Sequence, residues 1–345
     1  MIDWTTAKIP WVHPPIKAGK RVELSPEGAI ESTFVKRTTV RGSFESSIQV
    51  RSDGSAGDGM ASHILIDGNP SKFLQGHNVF GSDALIPLMR DTVLQIAERL
   101  ELQACSNLIK TVEEGAYDLS RVDINYSWEL PSRSDVDAAL RSLEYQSKTR
   151  HGRPSMRSGT LYWGQHSSRW ALKAYSKGNE IEASKGHKLP LALQETPIPV
   201  WADNKLRLEL VLRSKELRER NLHRACTWLP ERVNAIYREY IERLDMSQQI
   251  KLSEQKLLTL PPKLRSTYVL WSEGHDLRST LSKNTYYVHR RQLLHDYDID
   301  INLPVDRNNA FNVVPFVKVL EAKPAELPPW AFQKSLVHES ARRSA

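Results

Sequence analysis

The sequence has few of the features that mark secreted or membrane-embedded proteins. Only 2 of its 345 residues are cysteines, Cys105 and Cys226, and they stand in no metal-binding or redox spacing. Two isolated cysteines are typical of reduced, buried thiols in a cytoplasmic protein. No apolar run approaches the roughly 20 residues that span a bilayer, and residues 1–11 lack the basic and apolar segments of a signal peptide. We therefore expect a cytoplasmic protein without a membrane partner.

The excess of positive charge is small, and its distribution is more informative than its size. Lys and Arg number 48 against 41 Asp and Glu, which gives a net charge of +7. The basic residues are concentrated in 141–177, 205–224 and 278–291. Such stretches suit a polyanionic partner, because each phosphate contact releases counterions. A solvated surface can have the same composition, so both interpretations stay open.

Hydrophobic patterns predict an α+β fold for the first part of the chain. Residues 119–128 and 205–213 alternate apolar and polar side chains, as strands with one buried face do. Residues 83–100 repeat apolar side chains at three- and four-residue spacing, which predicts a helix. Further strands are expected at 33–41, 43–51, 63–67, 159–164 and 169–177, and a further helix at 134–147. These elements predict a mostly antiparallel central sheet covered by helices.

Beyond residue 215 the patterns are mainly helical. We therefore divide the chain into an α+β domain at 1–215 and a helical region at 216–345. Within that region, 276–298 predicts two helices joined by a three-residue turn, which is typical of a helix-turn-helix that reads the major groove. Tyr286 and Arg290 would then face outward, and Arg290 could contact a guanine edge. A plain helical pair is an equally good interpretation.

Five segments, in order, resemble the gene II family of filamentous-phage replication initiators, including its carboxy-terminal region. They are KFLQGHNVFGSDAL (72–85), LSRVDINYS (119–127), TLYWGQHSSRWALKAYSKGNEIE (160–182), KLRLELVLRSKEL (205–217) and NNAFNVVPFVKV (308–319). The resemblance implies a replication-initiator fold of the relaxase type. It also implies an endonuclease that nicks one strand of a supercoiled origin, stays linked to it through a tyrosine and rejoins it after rolling-circle replication.

A tyrosine suits nicking and rejoining because its phosphodiester conserves the energy of the broken bond. Tyr175 lies on the polar face of its predicted strand, and the resemblance places it where family members keep a tyrosine. We predict Tyr175 as the nucleophile, with Lys177 lowering its pKa. Tyr162 and Tyr286 are the other candidates. A strand tyrosine that only packs its ring is the competing interpretation.

Three acidic residues are predicted to hold a divalent cation. Asp123, Glu180 and Glu209 each match an acid of the gene II pattern, and Mg²⁺ or Mn²⁺ prefers such carboxylate oxygens. The cation would neutralise charge on the scissile phosphate. Each acid could instead pair with a neighbouring arginine. The paired histidines of many rolling-circle nickases are absent from the sequence, and His77 in QGHN is a weaker candidate.

The resemblance also implies partners. We expect the protein to bind double-stranded origin DNA and the displaced single strand, with phosphate contacts from Arg121, Arg169, Lys173 and Arg207. Because the sequence has no Walker-type loop, a host helicase and polymerase are expected in the cytoplasm of a bacterial host. Three rivals stay open: a non-catalytic origin-binding regulator, a metal nuclease that activates water, and an RNA-binding protein.

Overall fold

The structure is a computed structural model that describes residues 1–150, 152–183, 188–246, 259–297, 299–302 and 323–338. The strands are β1 (Ile2–His13), β2 (Lys20–Leu24), β3 (Ile30–Val35), β4 (Thr38–Arg41), β5 (Ser47–Asp53), β6 (Ala61–Gly68), β7 (Asp118–Glu129), β8 (Ser147–Lys148), β9 (Ser155–Arg157), β10 (Thr160–Trp163), β11 (Trp170–Ser176), β12 (Lys205–Arg213) and β13 (Asp245–Met246). The helices are α1 (Pro70–Gln75), α2 (Leu85–Arg99), α3 (Ser106–Glu113), α4 (Arg133–Gln146), α5 (Lys177–Glu182), α6 (Leu191–Gln194), α7 (Ile198–Ala202), α8 (Ser214–Glu219), α9 (Pro230–Ile241), α10 (Pro262–Ser272), α11 (Leu277–Thr280), α12 (Lys283–Tyr297) and α13 (Pro329–Gln333).

Nine strands form one sheet in the order β4-β5-β6-β1-β7-β12-β11-β10-β9, and each neighbouring pair is antiparallel. β2 and β3 form a separate hairpin, and β8 pairs with β13. The predicted α+β class with a mostly antiparallel sheet is therefore confirmed. β1 runs through the middle of the sheet and was not among the predicted strands.

Hydrophobic alternation creates the apolar face of the central strands. Leu210 of β12 pairs with Ile124 of β7 and with Leu172 of β11, and residues paired in an antiparallel ladder share a face. Helices α2, α4 and α9 contribute buried side chains to the same core cluster. As predicted, α2 directs one side toward this core, with Leu85, Leu88, Met89, Val93 and Ile96 buried.

The opposite face of β7, β11 and β12, called the polar face below, is buried as well. Alternation predicted polar side chains there, yet Asp123, Arg207 and Glu209 are only 1%, 1% and 4% exposed. Residues 76–84, the covering loop, lie over this face, since Arg207 donates hydrogen bonds to the carbonyls of Asn78 and Val79. A second apolar cluster contains members of this loop, of α5 to α7 and of α13; its buried members include Val79, Phe80, Ile181, Leu193, Ile198 and Ala331.

The core of the sheet extends past the predicted domain boundary at residue 215. Leu217, Trp228, Ile236 and Leu244 are buried in the same cluster as the apolar face. A separate cluster begins at Leu260 and is built from α10, α11 and α12 with residues 299–302. The packing therefore places the change of core between residues 244 and 260, because α8 and α9 cover the sheet.

The helical region departs from a regular helix-turn-helix. Its first predicted helix is reduced to the four residues of α11. Tyr286, expected to face outward, is 4% exposed and belongs to the local core, whereas the adjacent Tyr287 is 49% exposed. The segment 308–319 of the resemblance lies outside the described residues.

Two smaller expectations concern the cysteines and the membrane. Cys105 and Cys226 are free but exposed rather than buried. Among the helices that the structure describes, none is long and apolar enough to cross a bilayer.

Candidate active site

The register of three central strands gathers most of the predicted site residues on the polar face. Glu209 of β12 lies between Lys173 of β11 and Asn125 of β7. Two positions further along, Arg207 lies between Tyr175 and Ser127 in the same way. Because paired residues share a face, these side chains and Asp123, two residues before Asn125, meet on one side of the sheet.

Tyr175 and Glu209 form the centre of the group. The Tyr175 hydroxyl donates to Oε2 of Glu209 at 3.2 Å, and both residues are buried. Burial, together with the negative charges of Glu180 and Glu209, raises the pKa of Tyr175 well above its ordinary value. The predicted lowering of this pKa by Lys177 is therefore not found. The phenol stays protonated at neutral pH until a base accepts its proton.

Glu209 is suited to be that base. Burial alone would raise the pKa of its carboxyl group, but the charge and hydrogen bond of Lys173 outweigh burial and lower it. The ammonium of Lys173 donates to Oε1 of Glu209, which leaves Oε2 for the phenol of Tyr175. Glu209 is therefore ionised at neutral pH and can accept a proton.

Asp123 is held differently from Glu209. Arg121 donates two hydrogen bonds to its carboxylate, at 2.8 Å and 2.6 Å, and the Lys173 ammonium lies 3.9 Å away. Burial raises the pKa of Asp123 to about 7 against the opposing effect of Arg121, and the charge of Glu209 raises it further. The arginine pairing that the sequence left open is thus present, while Glu209 pairs with a lysine instead.

Lys177 and Glu180 lie at the start of α5, directly after β11. The Ser176 side chain caps this helix by accepting a hydrogen bond from the Asn179 amide, which places Glu180 one turn along. Lys177 is fully buried; its ammonium donates to Glu180 and, at 2.8 Å, to Oδ1 of Asn78. Burial lowers the pKa of Lys177 to about 8.

Asp3 is a member of the group that sequence reasoning missed. Its Oδ1 accepts hydrogen bonds from the side-chain amides of Asn69, at 2.8 Å, and Asn78, at 3.1 Å. Burial raises the pKa of Asp3, and the charge of Glu209 adds to the increase. Alternation of Ala7, Ile9 and Trp11 in β1 was the signal that could have located this strand.

Arg207 and His77 fix the covering loop. Arg207 donates to Ser127 at 2.9 Å, to the Asn78 carbonyl at 2.6 Å and to the Val79 carbonyl at 2.7 Å. His77 is 2% exposed, accepts from the Val79 amide and bonds the Leu336 carbonyl at 2.8 Å. Burial lowers the pKa of His77 to about 4. Both side chains are engaged within the fold, so Arg207 does not face solvent as a DNA contact would require.

The remaining predicted residues lie away from the centre or at its border. Arg169 pairs with Glu216 and Glu219, and Arg290 pairs with Asp300 at 2.8 Å in the helical region. The Tyr286 hydroxyl donates to Asn302 at 3.0 Å, also in that region. Tyr162 is half-buried on the polar face, opposite Lys173 in the ladder. Of the predicted tyrosines, Tyr175 alone bonds an acid of the predicted set in the described part of the chain.

The acids suit a divalent cation by type but not by arrangement. Asp123, Glu180 and Glu209 supply the carboxylate oxygens that Mg²⁺ prefers. Each is already paired with Arg121, Lys177 or Lys173. Within the described ranges, no group of three His, Cys, Asp or Glu side chains is placed as ligands of one metal ion.

Comparisons with known proteins cover most of the chain. The family profile for the N-terminal part of the gene II replication-associated protein matches residues 1–231, and the profile for its C-terminal part matches residues 252–337. The replication-associated protein of this family from Enterobacteria phage I2-2 is 45% identical over 329 residues, which are 95% of each chain. The protein of the same name from Enterobacteria phage fd is 29% identical over 121 residues, 34% of this chain and 28% of its own. A rolling-circle replication initiator protein from Geobacillus stearothermophilus has a TM-score of 0.33 at 11% identity, covering 74% of this chain and 89% of that chain.

Proposed function

The chain belongs to the filamentous-phage gene II family of replication-associated proteins, and we propose that it starts rolling-circle replication by nicking one origin strand and later rejoining it. One observation carries the proposal: the hydroxyl of Tyr175 donates to the Glu209 carboxylate at 3.2 Å inside a charged group. A nucleophile with a base within hydrogen-bond distance is the arrangement that covalent catalysis needs.

In the nicking step, the Tyr175 oxygen attacks the scissile phosphorus and its proton moves to Oε2 of Glu209. A bond from phosphorus to the tyrosine oxygen forms as the bond to the 3′ oxygen breaks. The DNA 5′ phosphate stays on Tyr175 and the 3′ end is free to prime synthesis. Because one phosphodiester replaces another, the same step in reverse rejoins the strand.

The leaving 3′ oxygen needs a proton, and Asp123 is suited to supply it. Its pKa, raised by burial to about 7, keeps the carboxyl protonated in a large fraction of molecules near neutral pH. Asp123 and Glu209 both contact Lys173, so the donor and the acceptor lie beside each other. Rejoining would use the two residues in exchanged roles.

Arg121 and Lys173 are suited to hold the scissile phosphate. Their side chains are 36% and 22% exposed, whereas those of Asp123 and Glu209 are 1% and 6% exposed. The cations therefore form the open side of the group. A phosphate that binds them competes with the two carboxylates, which releases those carboxylates for proton transfer.

We also propose that Asp123, Glu180 and Glu209 hold Mg²⁺ or Mn²⁺, because their carboxylate oxygens are the ligands that these cations prefer. When bound, the cation would neutralise charge on the phosphate. Asp123 would then be a metal ligand rather than a proton donor. If it is a ligand, nicking should stop in EDTA; if it is a proton donor, nicking should continue. Nicking that persists in EDTA would remove the cation from the proposal and leave proton transfer as the role proposed for Asp123.

We also propose DNA substrates, host protein partners and a cellular location. Origin duplex and displaced single strand would be the DNA substrates, a host helicase and polymerase would act on the free 3′ end, and the reaction would take place in the bacterial cytoplasm. The basic residues at the open side of the group, Arg121 and Lys173, support a phosphate-bearing substrate.

The test uses supercoiled DNA of the genome that encodes the chain. We expect the full-length protein to convert it to open circles and to become linked to labelled DNA in a denaturing gel. Tyr175→Phe should abolish the adduct while leaving the fold intact, because the ring remains. Tyr162→Phe is the matched control on the same face and should retain the adduct.

Two outcomes would contradict this assignment. An adduct of ordinary yield in Tyr175→Phe would remove Tyr175 from the reaction. Open circles without any protein–DNA adduct would favour a nuclease that activates water.

A further inference from the structure

A cavity of about 550 Å³ opens at an internal edge of the sheet, beside the polar face. It exists because β7 continues further than its neighbour β1. The pairing ends at Ile2 with Ile124, and the Met1 carbonyl takes the amide of Asn125. Beyond that point the Ser127 carbonyl accepts the amide of Ala325. The space between these two contacts remains open.

The walls of the cavity combine aromatic rings with positive charge. Phe80, Tyr126, Trp201 and Phe332 line it, and so do Arg238 and Lys323. Aromatic side chains stack on nucleobases of any sequence, and cations attract the adjoining phosphates. The volume lies within the range of about 300–1,000 Å³ for small-molecule pockets, which is sufficient for one nucleotide.

Asn125 gives the cavity a polar group without an internal role. Its side chain is fully buried, and within the described part of the chain neither amide atom has a hydrogen-bond partner. Burial of an unpaired amide costs free energy. Asn125 lines the cavity and lies opposite Glu209 in the ladder. The unpaired amide therefore connects the cavity to the site of the proposed nick.

We propose that the cavity binds one unpaired nucleobase of the strand to be cut and that Asn125 reads the base by hydrogen bonding. The inference rests on the proposed function, because it assumes single-stranded DNA at the polar face. An Asn amide offers one donor group and one acceptor, which matches the edge of a base extruded from its helix. Asn125 is thus a specificity-determining residue for the nick site.

Fluorescence anisotropy with three labelled 12-nucleotide probes, oligo-dA, oligo-dC and oligo-dT, tests the proposal. Full-length Tyr175→Phe protein in EDTA serves as the parent, so that no cutting occurs. We expect the parent to prefer one probe, and Asn125→Ala to weaken that probe about tenfold and level the three affinities, since a good base contact contributes about 1–3 kcal/mol. Asn107→Ala, at an exposed position of α3, is the matched control and should keep the preference.

A second variant guards against an effect of folding. Asn125→Ala removes no hydrogen bond to any of the described residues, so we expect its thermal midpoint not to fall. Ala325→Phe would place a ring in the cavity and should remove the preference while Asn125 is still present. Equal affinities in the parent, or a preference retained in both variants, would overturn the proposal. Adduct formation by Tyr175 is measured separately, so loss of base reading and failure of the nicking mechanism are distinguishable.

Discussion

Both faces of β7, β11 and β12 are largely buried, but burial has a different energetic effect on each face. On one face Leu208, Leu210 and Leu212 pack among helices, and burial itself stabilises the fold. On the other face two carboxylates are buried beside cations: Lys173 outweighs the effect of burial on Glu209, whereas Arg121 only partly offsets it on Asp123. A fold does not need the second arrangement, since apolar residues would be at least as stable there. The contrast supports the proposal that the polar face serves chemistry.

Glu209→Gln should produce the largest effect and should act on chemistry. The amide keeps the shape of the side chain but cannot take the proton of Tyr175. We expect the rate of adduct formation to fall by about 10²- to 10⁴-fold, as when a general base is lost. Rapid-quench measurement of the labelled adduct is the readout. Glu129→Gln, at an exposed acid of β7, is the control, and an equal fall there would contradict the assignment.

Leu208→Ala on the apolar face should act on stability instead. Leu208 is 1% exposed, so its truncation leaves a cavity and should lower the free energy of unfolding by about 2–5 kcal/mol. Urea denaturation gives this value. At a temperature where the variant is folded, adduct formation should match that of the parent. Loss of the adduct in fully folded Leu208→Ala would show that the two faces cannot be separated.

Alternation identified which residues share a face but not what covers that face. It located β7, β11 and β12 and the polar sides that carry Asp123, Tyr175 and Glu209, whereas the neighbouring positions of these strands were an assumption of the prediction. The cover could not be foreseen, because it depends on contacts distant in sequence. Arg207 reaches the Asn78 carbonyl across 129 positions, and Asp3 meets Asn78 across 75. No periodic pattern encodes such contacts.

The misplaced residues have similar physical causes. Tyr286 was expected to face outward on the second helix of a helix-turn-helix, yet it lies with Leu293 and Ile301 in a small core. Arg207 was expected at a phosphate because of its charge, yet two of its hydrogen bonds hold the covering loop and a third goes to Ser127 of β7. For both residues, contacts with residues distant in sequence determine the orientation of the side chain.

His77 is buried on the polar side but has no role in the proposed chemistry, so its burial should affect stability and not the reaction. Its folded pKa of about 4 lies below the ordinary value of 6.5. The unfolded chain therefore takes up a proton first as the pH falls, and stability is lost between about 6.5 and 4. From pH 7.5 to pH 5 we expect a loss of about 2 kcal/mol.

The loss should be specific to the imidazole. His77→Gln retains a donor and an acceptor but does not titrate, so its free energy of unfolding should change less over the same interval. Urea denaturation of both proteins at pH 7.5 and pH 5 gives the difference. Equal pH dependence in the two proteins would assign the loss to other groups.

Tyr286→Phe changes a buried tyrosine outside the sheet, and we expect it to have the smallest effect on stability and on adduct formation. Tyr286 and Tyr175 are both buried tyrosines whose hydroxyls donate to a side-chain oxygen. The partner of Tyr286 is the neutral amide of Asn302, which cannot act as a base, so the hydroxyl contributes only a hydrogen bond. Its removal should lower the free energy of unfolding by about 1 kcal/mol and leave adduct formation unchanged. If Tyr286→Phe instead abolished the adduct, the nucleophile would lie in the helical region, and the buried charges of the polar face would need another explanation.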